Sequence, residues 1–188
     1  MRRVFAIFLF VLLFSTSAFA MEFSSDTVMT SRQGKMTGKI YFKADRFRMD
    51  MKAPQEMSTI TRMDKKVVWN IMPKEKMYME MPFDPKGKPM VEGKFEGEIE
   101  RKLVGSETID GHPSKKYLIT YMSGKKKEQV YQWTATDINF PIKTAAVDGF
   151  WVQEHKNIKI GPQPNSLFEV PAGYKKFQMP GGMKQKMK

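Results

Sequence analysis

Apolar and charged residues alternate along two short stretches of this chain, Arg46-Phe47-Arg48-Met49-Asp50-Met51 and Lys76-Met77-Tyr78-Met79-Glu80-Met81. Alternate side chains of a β-strand share a face. Each stretch therefore predicts a strand with one flexible apolar stripe, formed by Met49 and Met51 in the first and by Met77, Met79 and Met81 in the second. A helix would scatter the same methionines around its circumference. The pattern leaves open what the stripe touches: packed core, lipid or a soft metal.

The alternation continues elsewhere. Residues 23–30, 36–43, 47–51, 57–63, 67–71 and 77–81 read as short strands separated by turn chemistry, as at Arg32-Gln33-Gly34, Ala44-Asp45 and Pro73-Lys74-Glu75. Pro82, Pro85, Gly87, Pro89 and Gly93 then mark an extended loop, because neither helix nor ladder tolerates that spacing. Strands resume at 95–103, 116–121, 128–134, 142–147 and 150–155. Gly124 and its lysines suit a hairpin turn, and Asp148-Gly149 predicts a two-residue hairpin. One helical turn is expected near 164–168. The expected fold is mainly β: an antiparallel meander of about ten strands with little helix. One apolar face of such a sheet must curl on itself, meet a second layer or enclose a ligand.

The first twenty residues stand apart. Arg2 and Arg3 precede an unbroken apolar run from Val4 to Phe14, and Ala18-Phe19-Ala20 completes a signal-peptide pattern with cleavage after Ala20. As a membrane span the stretch is marginal, because Ser15, Thr16 and Ser17 interrupt it. Residues 21–176 are expected to form one domain and 177–188 a basic tail. The chain has no cysteine, which removes disulfides, thiolate metal sites and a lipid anchor on cysteine. A soluble periplasmic protein is the expectation. Arg2 and Arg3 leave with the signal, so the formal charge falls from +12 to +10. That balance suits anionic partners such as a membrane surface, and export argues against nucleic acid. Spread lysines also make an ordinary solvated surface, with Lys125-Lys126-Lys127 the clearest concentration.

Catalytic chemistry is sparse. His112 sits in a turn and His155 near a strand end, and no nucleophile elbow, HExxH, phosphate loop or calcium loop accompanies them. Both read as surface histidines, and no enzymatic activity and no cofactor is expected. The aromatics and methionines say more. Phe42, Phe47, Met49, Met51, Trp69, Ile71, Met77, Met79, Met81 and Trp133 are the candidate lining of a ligand cavity. Each also serves as plain core. Methionine has three rotatable bonds and a polarisable sulfur, so a methionine surface repacks around acyl chains of different shape. The same thioethers are ligands that select Cu(I), a less favoured reading without cysteine or a nearby histidine.

In this order the motifs resemble the LolA/LolB-like superfamily of periplasmic lipoprotein carriers, closest to an uncharacterised branch. The residues concerned are Gly38-Lys39-Ile40-Tyr41-Phe42-Lys43, then Ser58-Thr59-Ile60-Thr61 with Asp64 to Pro73 around Trp69, and the closing Ser166-Leu167-Phe168-Glu169-Val170-Pro171-Ala172-Gly173-Tyr174. The resemblance implies an incomplete, half-open β-barrel: a strongly curved antiparallel sheet whose concave face holds acyl chains. It further implies a lipid or lipidated protein as partner, in a role such as outer-membrane lipoprotein sorting. A sensory or protein-interaction module on the same fold is the alternative. Three features depart from the carriers. Met21 leads almost directly into a strand, with no amphipathic helix before it; the loop from Pro82 to Gly93 stands where a helical lid is expected, and its prolines and glycines forbid one; and Ala44 stands where carriers place a basic residue, with Arg46 nearby.

Overall fold

The computed structural model describes residues 21–52, 56–84, 95 and 97–177. The expected signal segment, most of the proline-glycine loop and all but the first residue of the basic tail lie outside them. Twelve strands form one sheet. They are β1 Glu22–Ser31, β2 Gly34–Lys43, β3 Arg46–Met51, β4 Met57–Arg62, β5 Val67–Met72, β6 Met77–Pro82, β7 Glu98–Ile109, β8 His112–Ser123, β9 Lys126–Ala135, β10 Phe140–Ala146, β11 Trp151–Ile160 and β12 Lys175–Lys176. A 3-10 turn, Asn165–Phe168, stands at the expected helical position. The order is β12-β6-β5-β4-β3-β2-β1-β11-β10-β9-β8-β7, so two meanders join where β1 pairs with β11. All pairs are antiparallel except the short β12–β6 pair. The sheet is not closed; β12 and β7 are its edges.

The sheet curls because one face is apolar across its middle. Phe23 of β1, Ile40 of β2, Phe47 of β3 and Phe140 and Ile142 of β10 form one buried cluster. On a flat sheet β3 and β10 would lie four spacings apart, roughly 19 Å. Their side chains nevertheless line one cleft, which makes that face concave. Phe23 stacks obliquely on Phe42 at 5.5 Å and on Phe140 at 4.6 Å between ring centroids. Gly38 helps bring β3 close. A Cβ at this position would collide with the Asp50 carbonyl oxygen and sit 2.8 Å from Met51 Sδ.

The convex face is covered differently. After β11 the chain crosses β2, β3 and β4 as a strap before adding β12 beside β6. Lys43 Nζ donates to the Gln163 carbonyl (3.1 Å), Arg48 Nη1 to the Leu167 carbonyl (2.9 Å) and Arg62 Nη1 to the Phe168 carbonyl (3.2 Å). Phe168, fully buried, fills a second cluster with Ile60, Trp69 and Ile71. Arg62 is also buried, and its guanidinium grips Asp64 at 2.5 Å and pairs with Glu169. Its hydrogen bond to Asp64 holds that carboxyl below its ordinary range. The strap is the Ser166 to Tyr174 motif read from the sequence.

Turn geometry differs from expectation at one tip. Asp110-Gly111 forms a two-residue hairpin with positive φ at both residues (50° and 82°), as other tips of the sheet also have two-residue loops. At Asp148-Gly149 the ladder ends at Ala145–Val152, and residues 147–150 form a wider loop. Asp148 Oδ1 accepts from the Phe150 amide (3.1 Å), an Asx turn that competes with the tight hairpin.

Phe168→Ala removes the ring that the strap lays on Ile60, Trp69 and Ile71. The expected loss is about 3–5 kcal/mol of unfolding free energy, measured by urea denaturation followed through tryptophan fluorescence.

Candidate functional site

Residues paired across neighbouring strands share a face, so the register sorts the candidate lining. Phe42 pairs with Phe47, and Ile40 with Met49, both inside the concave cluster. From Phe47 the same face runs through Thr61 and Val68 to Met81; from Met49 it runs through Thr59 and Asn70 to Met79. Met51 joins this face through Gly38 and Met57, and Met77 through Met72. The structure thus brings together Phe42, Phe47, Met49, Met51, Met77, Met79 and Met81 as one concave surface. Burial declines along it. Phe47 is buried, Met49, Met51, Met77 and Met79 are half-buried, and Met81 and Met57 stay 37% and 45% exposed.

Three candidates lie elsewhere. Trp69 and Ile71 point to the convex face, where Phe168 covers them and Trp69 Nε1 donates to Glu80 Oε2 (3.0 Å). Their parity matches that of Met49, but the β4–β5 turn pairs Arg62 with Val67 and inverts it. Trp133 is also convex, opposite Lys116 and Lys143. Its indole donates to Glu107 and lies under Lys116 and Lys143, 4.8 and 5.0 Å from the ring centroid. None of the three lines the concave face.

Among the described residues, a small and a larger hollow open on that face. The smaller, about 50 Å³, is lined by Ile40, Phe47, Met49, Phe140, Thr144 and His155 among others. It admits a few water molecules rather than an acyl chain. His155 is buried, not on the surface as its sequence position suggested. Its ring meets Phe140 edge-on at 5.0 Å, and its Nδ1 lies 3.3 Å from Ser25 Oγ, 130 residues away in sequence. No carboxylate accompanies this pair in the described hydrogen bonds, and the cleft beside it is lined mainly by apolar groups. The arrangement is that of a satisfied polar pair inside a greasy wall.

The larger hollow, about 710 Å³, is open and of ligand size. It lies where the β8–β9 hairpin extends four residues beyond the last β9–β10 pair, Ala146–Val130. Tyr121, Val130, Ala146, Val147, Phe150 and Trp151 supply its apolar surface. Tyr121 donates to Glu128 (2.9 Å), and burial together with that carboxylate pushes its phenol up. Sequence reading missed this groove. The available signal was the aromatic pair Phe150-Trp151 directly after a turn, close to a lysine triplet only once the hairpins are side by side. Among the described residues no group of three or more histidine or acidic side chains is placed to hold a metal ion.

Burial pushes the His155 imidazole down to about 4 from an ordinary 6.5. The unfolded chain therefore takes up this proton near pH 6.5 and the folded chain only near 4. Stability from the neutral ring is complete above about pH 6.5 and is lost as pH falls toward 4, at a cost of about 2 kcal/mol between pH 7 and pH 5. Urea midpoints for the wild type and His155→Gln at both pH values check this. The wild type should lose more stability than the variant over that interval.

The described residues contain no helix long and apolar enough to cross a membrane. No curated protein matches the chain. Among solved structures it is similar to the Pseudomonas aeruginosa MucA/MucB complex, with a TM-score of 0.59 at 12% identity over 82% of this chain and 57% of that one. It is similar also to MucB alone (0.55, 13%, 82% and 58%) and to MucB in complex with MucA(peri) (0.55, 12%, 82% and 56%). Identities this low show a shared fold, and the chain spans under three-fifths of the length of those structures. The family model described as "Domain of unknown function (DUF4412)" matches residues 25–139, more than half of the sequence, and the chain belongs to that family.

Proposed function

We propose that this protein is an exported periplasmic binding protein, without enzymatic activity, that holds an acyl chain of a lipid or lipidated partner against the concave face of its sheet. The observation that carries this reading is the methionine surface. Met49, Met51, Met77, Met79 and Met81 continue the aromatic cluster outward, and burial falls off until Met81 is 37% exposed. An apolar surface of that kind suits a ligand of variable shape, because thioether side chains repack at small cost. The small enclosed cleft does not accommodate a chain, so the ligand lies along the open surface or in the Tyr121–Trp151 groove. Lipoprotein sorting is the role that the resemblance to LolA/LolB-like carriers supports.

A second reading has its own support. The fold is shared with MucB, which is found in complex with MucA(peri). A protein segment could occupy the same concave face, with its apolar side chains on the methionines.

Native mass spectrometry of protein purified from its own compartment separates the two, since acyl lipid should be retained in the first case. Replacing Met77, Met79 and Met81 together by glutamine should weaken binding of a fluorescent fatty acid at least tenfold. Stability should fall by only about 1 kcal/mol, because these side chains are half-buried or exposed. Lipid-free protein that ignores fatty-acid probes would sink the lipid reading and leave the protein partner.

A further inference from the structure

Hairpin tips alternate between the two ends of the sheet, and the ends differ in charge. At one end the β2–β3, β4–β5, β7–β8 and β9–β10 tips carry Asp45, Asp64, Asp110 and Asp137. Most basic groups at that end are engaged, Arg46 with Asp45 and Asp64, Arg62 with Asp64 and Glu169, and Lys65 with Glu169, whereas Lys66 and Lys159 stay exposed. The other end holds the β1–β2 tip with Arg32 and Lys35, the β5–β6 tip with Lys74 and Lys76 around Glu75, the β8–β9 tip with Lys125, Lys126 and Lys127, and the β10–β11 loop with Asp148, so basic groups outnumber acidic ones there. All are exposed, and among the described residues none of these lysines forms an ion pair.

Apolar side chains crowd the same end. Val147 and Phe150 are each 45% exposed and Met122 is 38% exposed, all beside the lysine-bearing β8–β9 tip or the neighbouring β10–β11 loop. Arg32 lies over the Phe150 ring at 5.9 Å, so cation and aromatic share one surface. Unpaired lysines around exposed aromatic and aliphatic side chains match a bilayer interface: the cations meet lipid phosphates while the apolar groups enter the boundary below them. At the aspartate-bearing end acidic and basic groups balance one another, so it is drawn to the same surface less strongly, and that difference orients the molecule.

We propose that the lysine-bearing end docks on an anionic bilayer, with Phe150, Val147 and Met122 entering the headgroup boundary and Lys125, Lys126 and Lys127 contacting lipid phosphates. The Tyr121–Trp151 groove then opens toward the membrane, a position from which a lipid enters or leaves it. The docking stands on residues separate from the methionine surface and goes beyond the lipid-holding reading.

The test is co-sedimentation of residues 21–188, which contain the whole described sheet, with phosphatidylcholine vesicles and with vesicles that also contain phosphatidylglycerol. Binding is expected only to the anionic vesicles and should weaken as salt rises. Reversing Lys125, Lys126 and Lys127 to glutamate should reduce it at least tenfold, and Phe150→Ser with Val147→Ser should reduce it several-fold. Reversing Lys66 and Lys159, exposed and, among the described residues, outside any ion pair at the opposite end, should leave most of it. Equal loss from charge reversal at either end, full binding by the Phe150/Val147 variant, or no binding to anionic vesicles overturns the proposal. An acidic protein partner would then be the better occupant. The variant with glutamine at Met77, Met79 and Met81 keeps the two readings apart, since it should lose fatty-acid binding in solution while still sedimenting with anionic vesicles.

Discussion

Convergence of β3 and β10 on one cluster and one cleft inside the sheet is the constraint from which the remaining architecture follows. Phe23, Phe47 and Phe140 belong to strands that hydrogen bonding alone would spread apart, and only a strong curl lets them share one cluster. Burial of aromatic surface drives that curl, since the backbone ladder itself is satisfied in a flat sheet as well as in a bent one. Once the sheet is bent, the position of everything else on the concave face is set. His155 is carried under Phe140 and against Ser25, and loses its water there. Met49 is drawn into the cluster, while Met79 and Met81, both on β6 three strands further out, are left at its margin.

Much of the fold was legible in the sequence because period-two alternation reports strands directly. Eleven expected strands and the helical turn at 164–168 all correspond to observed elements, and the half-open sheet implied by the superfamily resemblance is the architecture seen. Ends were less legible. β7 runs to Ile109 rather than stopping near 103, and β8 begins at His112, because Asp110-Gly111 makes the hairpin turn that the weaker apolar signal of exposed strands had hidden. The two-residue β12 carries no pattern at all; it exists because the strap arrives beside β6.

Facing was harder to read than strand content. Alternation says which residues of one strand share a face, but relating strands needs the number of residues between paired partners. Arg62 pairs with Val67, an odd interval, so Trp69 faces away from Met49 although both are odd-numbered. Asn70 therefore takes the concave place, where Thr59 Oγ1 donates to its side-chain oxygen at 3.0 Å. Trp133 is displaced by the same logic acting through β10 and β11. The large groove was hidden for another reason. It arises from the stagger of hairpins distant in sequence, and no local pattern encodes how far one extends past another.

The two faces are built differently, one clamped and the other adaptable. On the convex side Phe168 is fully buried and Arg62 ties β4 to the strap through carbonyl, aspartate and glutamate partners. Burial raises the Glu169 carboxyl, but Lys65 and Arg62 outweigh it and hold the group below its ordinary range, so this clamp is ionised at neutral pH. Fixing β3 to β6 from outside relieves their inner surface of the need to be sealed by packing. That surface is then free to carry methionines, whose flexible side chains specify a core poorly but accommodate a guest well. Leucine or isoleucine at Met77, Met79 and Met81 would offer a similar apolar area with fewer shapes. A sheet clamped on one side and left adaptable on the other is what an open binding surface requires, and the strap is what makes that openness compatible with a stable fold.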